Sequence, residues 1–192
     1  MTPAVATDAE SGVPGTGGSK TGPGRLLRAA LWWVLVGAVV LVVASVTGLL
    51  PIQIMRVDSG SMAPTIATGD LVLLRHAQDQ VHRGDVVAVE DPSGDGELVK
   101  RAVGLGGDEV SIEDGVLVVN GTPVCETIDP LLIDGVWFGP VTVPAGELFL
   151  LGDHRDGSID SRVFGSVSTD RLVGFVDTRV WPHPGRLPVT YC

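Results

Sequence analysis

Lysine is almost absent from this chain. Lys20 and Lys100 are the two present, so beyond residue 20 every basic side chain but one is Arg or His. Acid outweighs base, with 23 Asp and Glu against 13 Lys and Arg and a net charge of −10. The acidic part carries no run of cations, which argues against nucleic acid as a partner, because phosphate binding needs clustered Lys and Arg. Cysteine is equally scarce. Cys125 and Cys192 have no C-x-x-C spacing, which excludes a disulfide-framed miniprotein and argues against a zinc or dithiol motif. One disulfide between them and two free thiols both stay open, since sequence does not supply the distance such a bond requires. His76, His82 and His183 show no ligand spacing, so neither a metal nor a cofactor is expected.

What is present begins with a polar tail. Residues 1–25 are rich in Gly, Pro, Ser and Thr and are expected to form a disordered cytoplasmic tail, unable to bury enough surface to offset ordering entropy. No charged residue occurs from Ala29 through Met55. Ala29–Leu50 alone would span ~33 Å as a helix, enough for the hydrocarbon core of a bilayer. Trp32 and Trp33 suit the interface, and Arg25 and Arg28 ahead of them hold the tail in the cytoplasm by the positive-inside rule. Residues 26–54 are therefore read as a single transmembrane anchor, too long for a signal-peptide core and without a clear small-x-small cleavage site. Charge divides at this boundary. Residues 1–54 hold 3 basic and 2 acidic side chains, net +1, which leaves −11 for the rest. Residues 55–192 would be the extracytoplasmic domain, its acidity a solvated face.

Past the anchor no long 3.6-residue period occurs. Short runs rich in Val, Leu and Ile predict strands at 71–74, 85–90, 97–103, 109–113, 115–119, 141–143, 148–151 and 172–180. Asp114-Gly115 and Asn120-Gly121 predict two-residue hairpin turns. The expected fold class is mainly β, an antiparallel-sheet domain behind one N-terminal transmembrane helix.

Three blocks carry the chemistry. The first is Val57-Asp58-Ser59-Gly60-Ser61-Met62-Ala63-Pro64-Thr65, where Gly60 permits close approach beside a serine and Pro64 prevents a clean helix start. Alone, it reads equally as a Ser/Gly turn. The second is Leu98-Val99-Lys100-Arg101-Ala102-Val103-Gly104. A serine hydroxyl is a weak nucleophile until a base takes its proton, and arginine, with a pKa above ~12, cannot be that base. Strand alternation puts Lys100 on the face of Leu98 and Ala102, with Arg101 opposite. An amine among apolar neighbours loses hydration in its charged form, so its pKa falls. Neutrality near pH 7 would cost ~4–5 kcal/mol of folding energy. The bland reading of Lys100 is a snorkelling surface lysine. The third block is Gly152-Asp153-His154-Arg155-Asp156-Gly157-Ser158-Ile159-Asp160-Ser161-Arg162, which alone reads as a polar loop with self-compensating charges.

In this order and behind one anchor, the three blocks resemble the bacterial type I signal peptidases, membrane-bound Ser-Lys endopeptidases of family S26. The resemblance runs from about Leu26 to Trp181. It implies a signal-peptidase/LexA-like β fold, with Ser61 as nucleophile and Lys100 as general base. The Ser61 backbone N–H and the Ser59 hydroxyl would serve as oxyanion donors. It implies that Ser158 orients Lys100, and that Arg101 pairs with Asp153 and Arg162 with Asp160. Val57, Met62 and Val99 would wall shallow pockets for alanine-sized side chains. The substrate would be signal-peptide-bearing preproteins emerging from the export machinery, bound extended against a sheet edge. The lipid bilayer would be the other partner. Ser61 stands 11 residues beyond Leu50, which would keep the cut near the bilayer surface. Two positions depart from the family pattern. Gly106 stands where many relatives have proline, which predicts a looser loop, and His154 stands where asparagine is common. His154 opens a rival, a Ser61–His154–Asp hydrolase with Asp156 or Asp160 orienting the ring. A catalytically dead, membrane-anchored binding module is the non-enzymatic alternative. The self-cleaving Ser-Lys repressors share a related fold but carry a DNA-binding head and no anchor.

Overall fold

The computed structural model describes residues 23–46, 51–76, 79–127 and 137–188. The disorder expected for residues up to 22 lies outside the described residues, as does Cys192. Cys125 is disulfide-bonded.

The chain divides into two compact units, 1–41 and 42–192. Helix α1 (Pro23–Val46) begins in the first. Its stretch Leu27–Ala44 has a mean hydropathy of 2.3, and α1 is the one described helix long and apolar enough to cross a membrane. Its apolar side chains are exposed on all sides, Trp32 and Trp33 included. The charge-free run read as anchor to residue 54 does not stay helical. Its end lies in strand β1 (Ile52–Arg56). The cause is tertiary: Ile52 to Arg56 pair residue by residue with Arg75 to Leu71 of β2 (Leu71–Arg75).

The second unit is a mainly β domain of antiparallel strands. These continue as β3 (Val86–Glu90), β4 (Glu97–Leu105), β5 (Glu109–Glu113), β6 (Val116–Val119), β7 (Thr122–Pro123) and β8 (Phe138–Thr142). After β9 (Glu147–Leu151) come the one-turn helix α2 (Ser161–Phe164), β10 (Val167–Ser168), β11 (Leu172–Trp181) and β12 (Gly185–Arg186). The larger sheet runs β1-β2-β11-β3-β4-β9-β10 with β12 beside β11, and the smaller runs β7-β6-β5-β8. Both predicted hairpin turns form. Asp114, Gly115, Asn120 and Gly121 all have positive φ, from 52° to 79°, as a type I′ turn requires.

Central strands are buried on both faces. Along β3, Val86 and Ala88 enter one core cluster with Val57, Met62, Ile66 and Leu74, while Val87 and Val89 enter a second with Ala102, Leu150 and Phe175. Along β9, Leu148 and Leu150 join that second cluster, and Phe149 and Leu151 join a third with Val103, Ile112 and Leu117 under the smaller sheet. Each fully buried aliphatic side chain contributes roughly 1.5–3 kcal/mol of transfer free energy. These clusters fix the loop that carries the serine and the strand that carries the lysine.

Candidate active site

The segment between β1 and β2 is a closed loop. Val57 N–H donates to Asp70 O at 2.9 Å and Gly69 N–H to Val57 O at 2.7 Å, so the ends are latched. Met62 and Ile66, 1% and 0% exposed, plug the loop into the first core cluster. Met62, expected to wall a substrate pocket, thus packs into the core directly beside Ser61. Arg179, from β11, reinforces the far side by donating from Nη2 to Thr65 O at 2.7 Å.

Lys100 enters from β4. It pairs across the sheet with Val87, on the side of the second core cluster that also takes Leu98 and Ala102. Its side chain is 3% exposed. Burial pushes the amine below the ordinary lysine value; Arg162 pushes the same way, and Asp160 and Asp91 push back. Lys100 Nζ donates to Ser158 Oγ at 3.2 Å. Ser61 is 7% exposed, and its Oγ lies 3.2 Å from Ser59 Oγ. Ser61 and Lys100 line one cavity of about 200 Å³, walled by Met55–Ser59 and Glu97–Val99. Of the three residues expected to shape small pockets, Val57 and Val99 belong to that wall.

The loop after β9 closes the site. Arg101 grips Asp153 with Nε and Nη2 at 2.8 and 2.6 Å, both side chains being essentially buried. Arg101 Nη1 donates to Gly84 O as well. Asp160 caps α2, accepts Arg162 Nε at 2.8 Å, and takes the Gly152 N–H at 3.1 Å. Gly152 has a physical reason to lack a side chain: a Cβ there would lie 2.3 Å from Ser158 Oγ and 2.5 Å from Ser61 O.

His154 touches the site through its backbone. Its N–H donates to Ser61 O at 3.0 Å, while its ring packs over Gly157, within 2.7 Å of where a Cβ would sit. Of the carboxylates nominated to orient that ring, Asp156 is exposed and Asp160 is held by Arg162 and Gly152. Gly106, for which the sequence predicts a looser loop, has close backbone neighbours. A Cβ there would lie 3.0 Å from backbone atoms of Pro144, Ala145 and Gly146, so the chain is packed closely at this point.

Comparison with known proteins gives the same direction as this geometry. The sequence profile described as "Signal peptidase, peptidase S26" matches residues 30–181. The chain belongs to that family. It is a serine peptidase, a hydrolase of peptide bonds. It is 36% identical over 142 residues to a signal peptidase I of Bacillus caldolyticus, covering 66% of this chain and 78% of that protein. It is 30% identical over 175 residues to signal peptidase IB of Staphylococcus aureus strain Mu50, covering 79% and 90%. A crystal structure of a signal peptidase I from Enterococcus faecalis V583 aligns with a TM-score of 0.46 at 28% identity, covering 52% of this chain and 98% of its own.

Sequence reasoning gave no role to two further buried side chains. Arg155 and Glu126 form a buried ion pair at 2.6 Å. They stand 29 residues apart, and Glu126 lies outside the three blocks, so no local pattern joins them.

Proposed function

We propose that this chain is a membrane-anchored endopeptidase that removes signal peptides from exported preproteins, with Ser61 as nucleophile and Lys100 as general base. The observation that carries the reading is a buried lysine amine with a lowered pKa, oriented by Ser158, lining the same cavity as Ser61. A desolvated amine is the state in which lysine accepts a proton near neutrality.

The arrangement supports the following reaction. Ser61 Oγ attacks the scissile carbonyl while its proton passes to Lys100 Nζ. The oxyanion that forms is met by the Ser61 backbone N–H and the Ser59 hydroxyl. Collapse breaks the C–N bond, and the proton on Lys100 goes to the leaving amine. Water, deprotonated by Lys100, then attacks the acyl-enzyme and frees Ser61. Asp153–Arg101 and Asp160–Arg162 hold the surrounding loop.

The substrate binds extended. Among the described residues the wall strands each have an edge for it: β1 pairs with β2 alone, and β4 pairs with β9 only from Arg101 onward. Main-chain hydrogen bonds along such edges give affinity, and alternate side chains meet pockets. Val57 and Val99 would admit alanine-sized groups. Helix α1, apolar all round and exposed, suits a lipid surround. Arg25 and Arg28 would hold its N-terminal side in the cytoplasm and export residues 55–192.

The test is cleavage of a model preprotein by the detergent-solubilised chain beside Ser61→Ala. Cutting should require Ala one and three residues before the scissile bond, and Phe at the first of these should block it, since overfilling a closed pocket costs more than losing a methylene. Equal cutting by Ser61→Ala, or efficient cutting after Phe, would contradict the assignment.

A further inference from the structure

The proposed chemistry leaves one buried ion pair without a role. Arg155 Nη2 meets Glu126 Oε1 at 2.6 Å, with the side chains 2% and 6% exposed. Arg155 belongs to the loop after β9, whereas Glu126 follows β7 of the smaller sheet. Arg155 Nη1 finds no hydrogen-bond partner among the described residues, so Glu126 and one carbonyl are what hold the guanidinium. Stability alone is a weak reason for such a pair, because replacing a buried ion pair by well-packed apolar residues is often neutral or stabilising. An apolar pair could not supply the other contact, in which Arg155 Nε donates to Gly152 O at 2.9 Å.

That contact sits at a junction. Gly152 donates its N–H to Asp160 and receives Arg155 on its carbonyl, so side chains hold it from both directions. A Cβ at Gly152 would strike both Ser158 Oγ and Ser61 O. The Gly152 backbone therefore packs against both the backbone carbonyl of Ser61 and the side chain of Ser158, the partner of Lys100. The backbone of Arg155 adds to the same frame by accepting from Arg162 Nη2. Displacement of Gly152 would move the serine and the lysine's partner together.

We propose that Arg155 and Glu126 are positioning residues for peptide hydrolysis: Glu126 fixes the Arg155 guanidinium, which holds Gly152 against Ser61 and Ser158. This rests on the reading of Ser61 and Lys100 given above. It extends the working site into the smaller sheet. The planar fork matters, because one guanidinium reaches a carboxylate and a carbonyl at once, whereas a lysine ammonium on a flexible stem is not pre-organised to do so.

The full chain in detergent, with a model preprotein, provides the test. Glu126→Leu combined with Arg155→Met removes both buried charges, so the fold should keep its thermal midpoint. The donor to Gly152 O is lost, and kcat should fall about 10- to 100-fold, the usual cost of a small misplacement at a catalytic group. KM should stay within about twofold, since neither residue lines the substrate cavity. Arg155→Lys should fail to restore kcat. Glu126→Gln, which keeps a neutral acceptor, should lose less than the double variant. A folded double variant with the kcat of the parent would overturn the proposal, as would a loss confined to KM. Should the double variant not fold, an undiminished kcat in Glu126→Gln would overturn it equally. A parent chain no more active than Ser61→Ala refutes the underlying reading and this inference with it, whereas an active parent with indifferent variants refutes this inference alone.

Discussion

At Lys100 stability and chemistry oppose each other. Burial disfavours the charged amine and lowers its pKa from the usual 10.5. A base must be neutral, so the cleavage rate should rise with pH through that depressed value. Lys100→Ala and Lys100→Arg should both lose the rising limb and roughly 10²–10⁴-fold in rate, the range for general-base catalysis. Arginine keeps the charge but cannot accept the proton. The linkage sign is definite. Between the lowered folded value and the ordinary unfolded value the unfolded chain binds the extra proton, so this group's contribution to stability grows as pH rises. Lys100→Met should therefore match or exceed the parent in thermal midpoint while being inactive, and a large loss of midpoint would contradict a desolvated amine. At Gly152 the constraint is steric. Gly152→Ala places a methyl 2.3 Å from Ser158 Oγ and 2.5 Å from Ser61 O. Its activity should drop at least about 100-fold, by displacement of catalytic groups. Parent-like cleavage would mean that the loop can move aside freely.

Elements were legible where their signal is local. Alternating Val and Leu gave most of the strands, and Asp114-Gly115 and Asn120-Gly121 marked turns whose φ values are positive at both central residues. The three blocks fixed the candidate site because their residue types are the chemistry. What escaped depends on partners far along the chain. Strand β1 hid in a charge-free run, since only pairing with β2 distinguishes it from the helix before it. Strands β7, β10 and β12 have 2 residues each, too few for a period to show. The burial of Met62 beside Ser61 shows only once the core cluster beneath it is seen. The close packing at Gly106 is hidden for the same reason: its neighbours are Pro144–Gly146. Gly106→Ala should destabilise the fold by about 1–3 kcal/mol, as overpacking does, read by denaturant unfolding of the solubilised chain. No change would mean that the 144–146 segment yields without cost.

For the molecule as a whole, the proposed topology, with the apolar part of α1 as anchor and the peptidase domain exported, can be tested directly. Protease added to intact spheroplasts should digest residues beyond Met55 and spare the N-terminal tail. Protection of the peptidase domain would reverse the orientation argued from Arg25 and Arg28. The central claim, that Ser61 and Lys100 cut signal peptides, is tested most directly in proteoliposomes carrying the full chain and a model preprotein, by mass analysis of the new N-terminus. The parent and His154→Asn should both release a product that starts just after an Ala-x-Ala site, while Ser61→Ala and folded Lys100→Arg release it at least about 100-fold more slowly. A dead His154→Asn beside an active Lys100→Arg, both folded, would contradict the account and move the base from lysine to histidine.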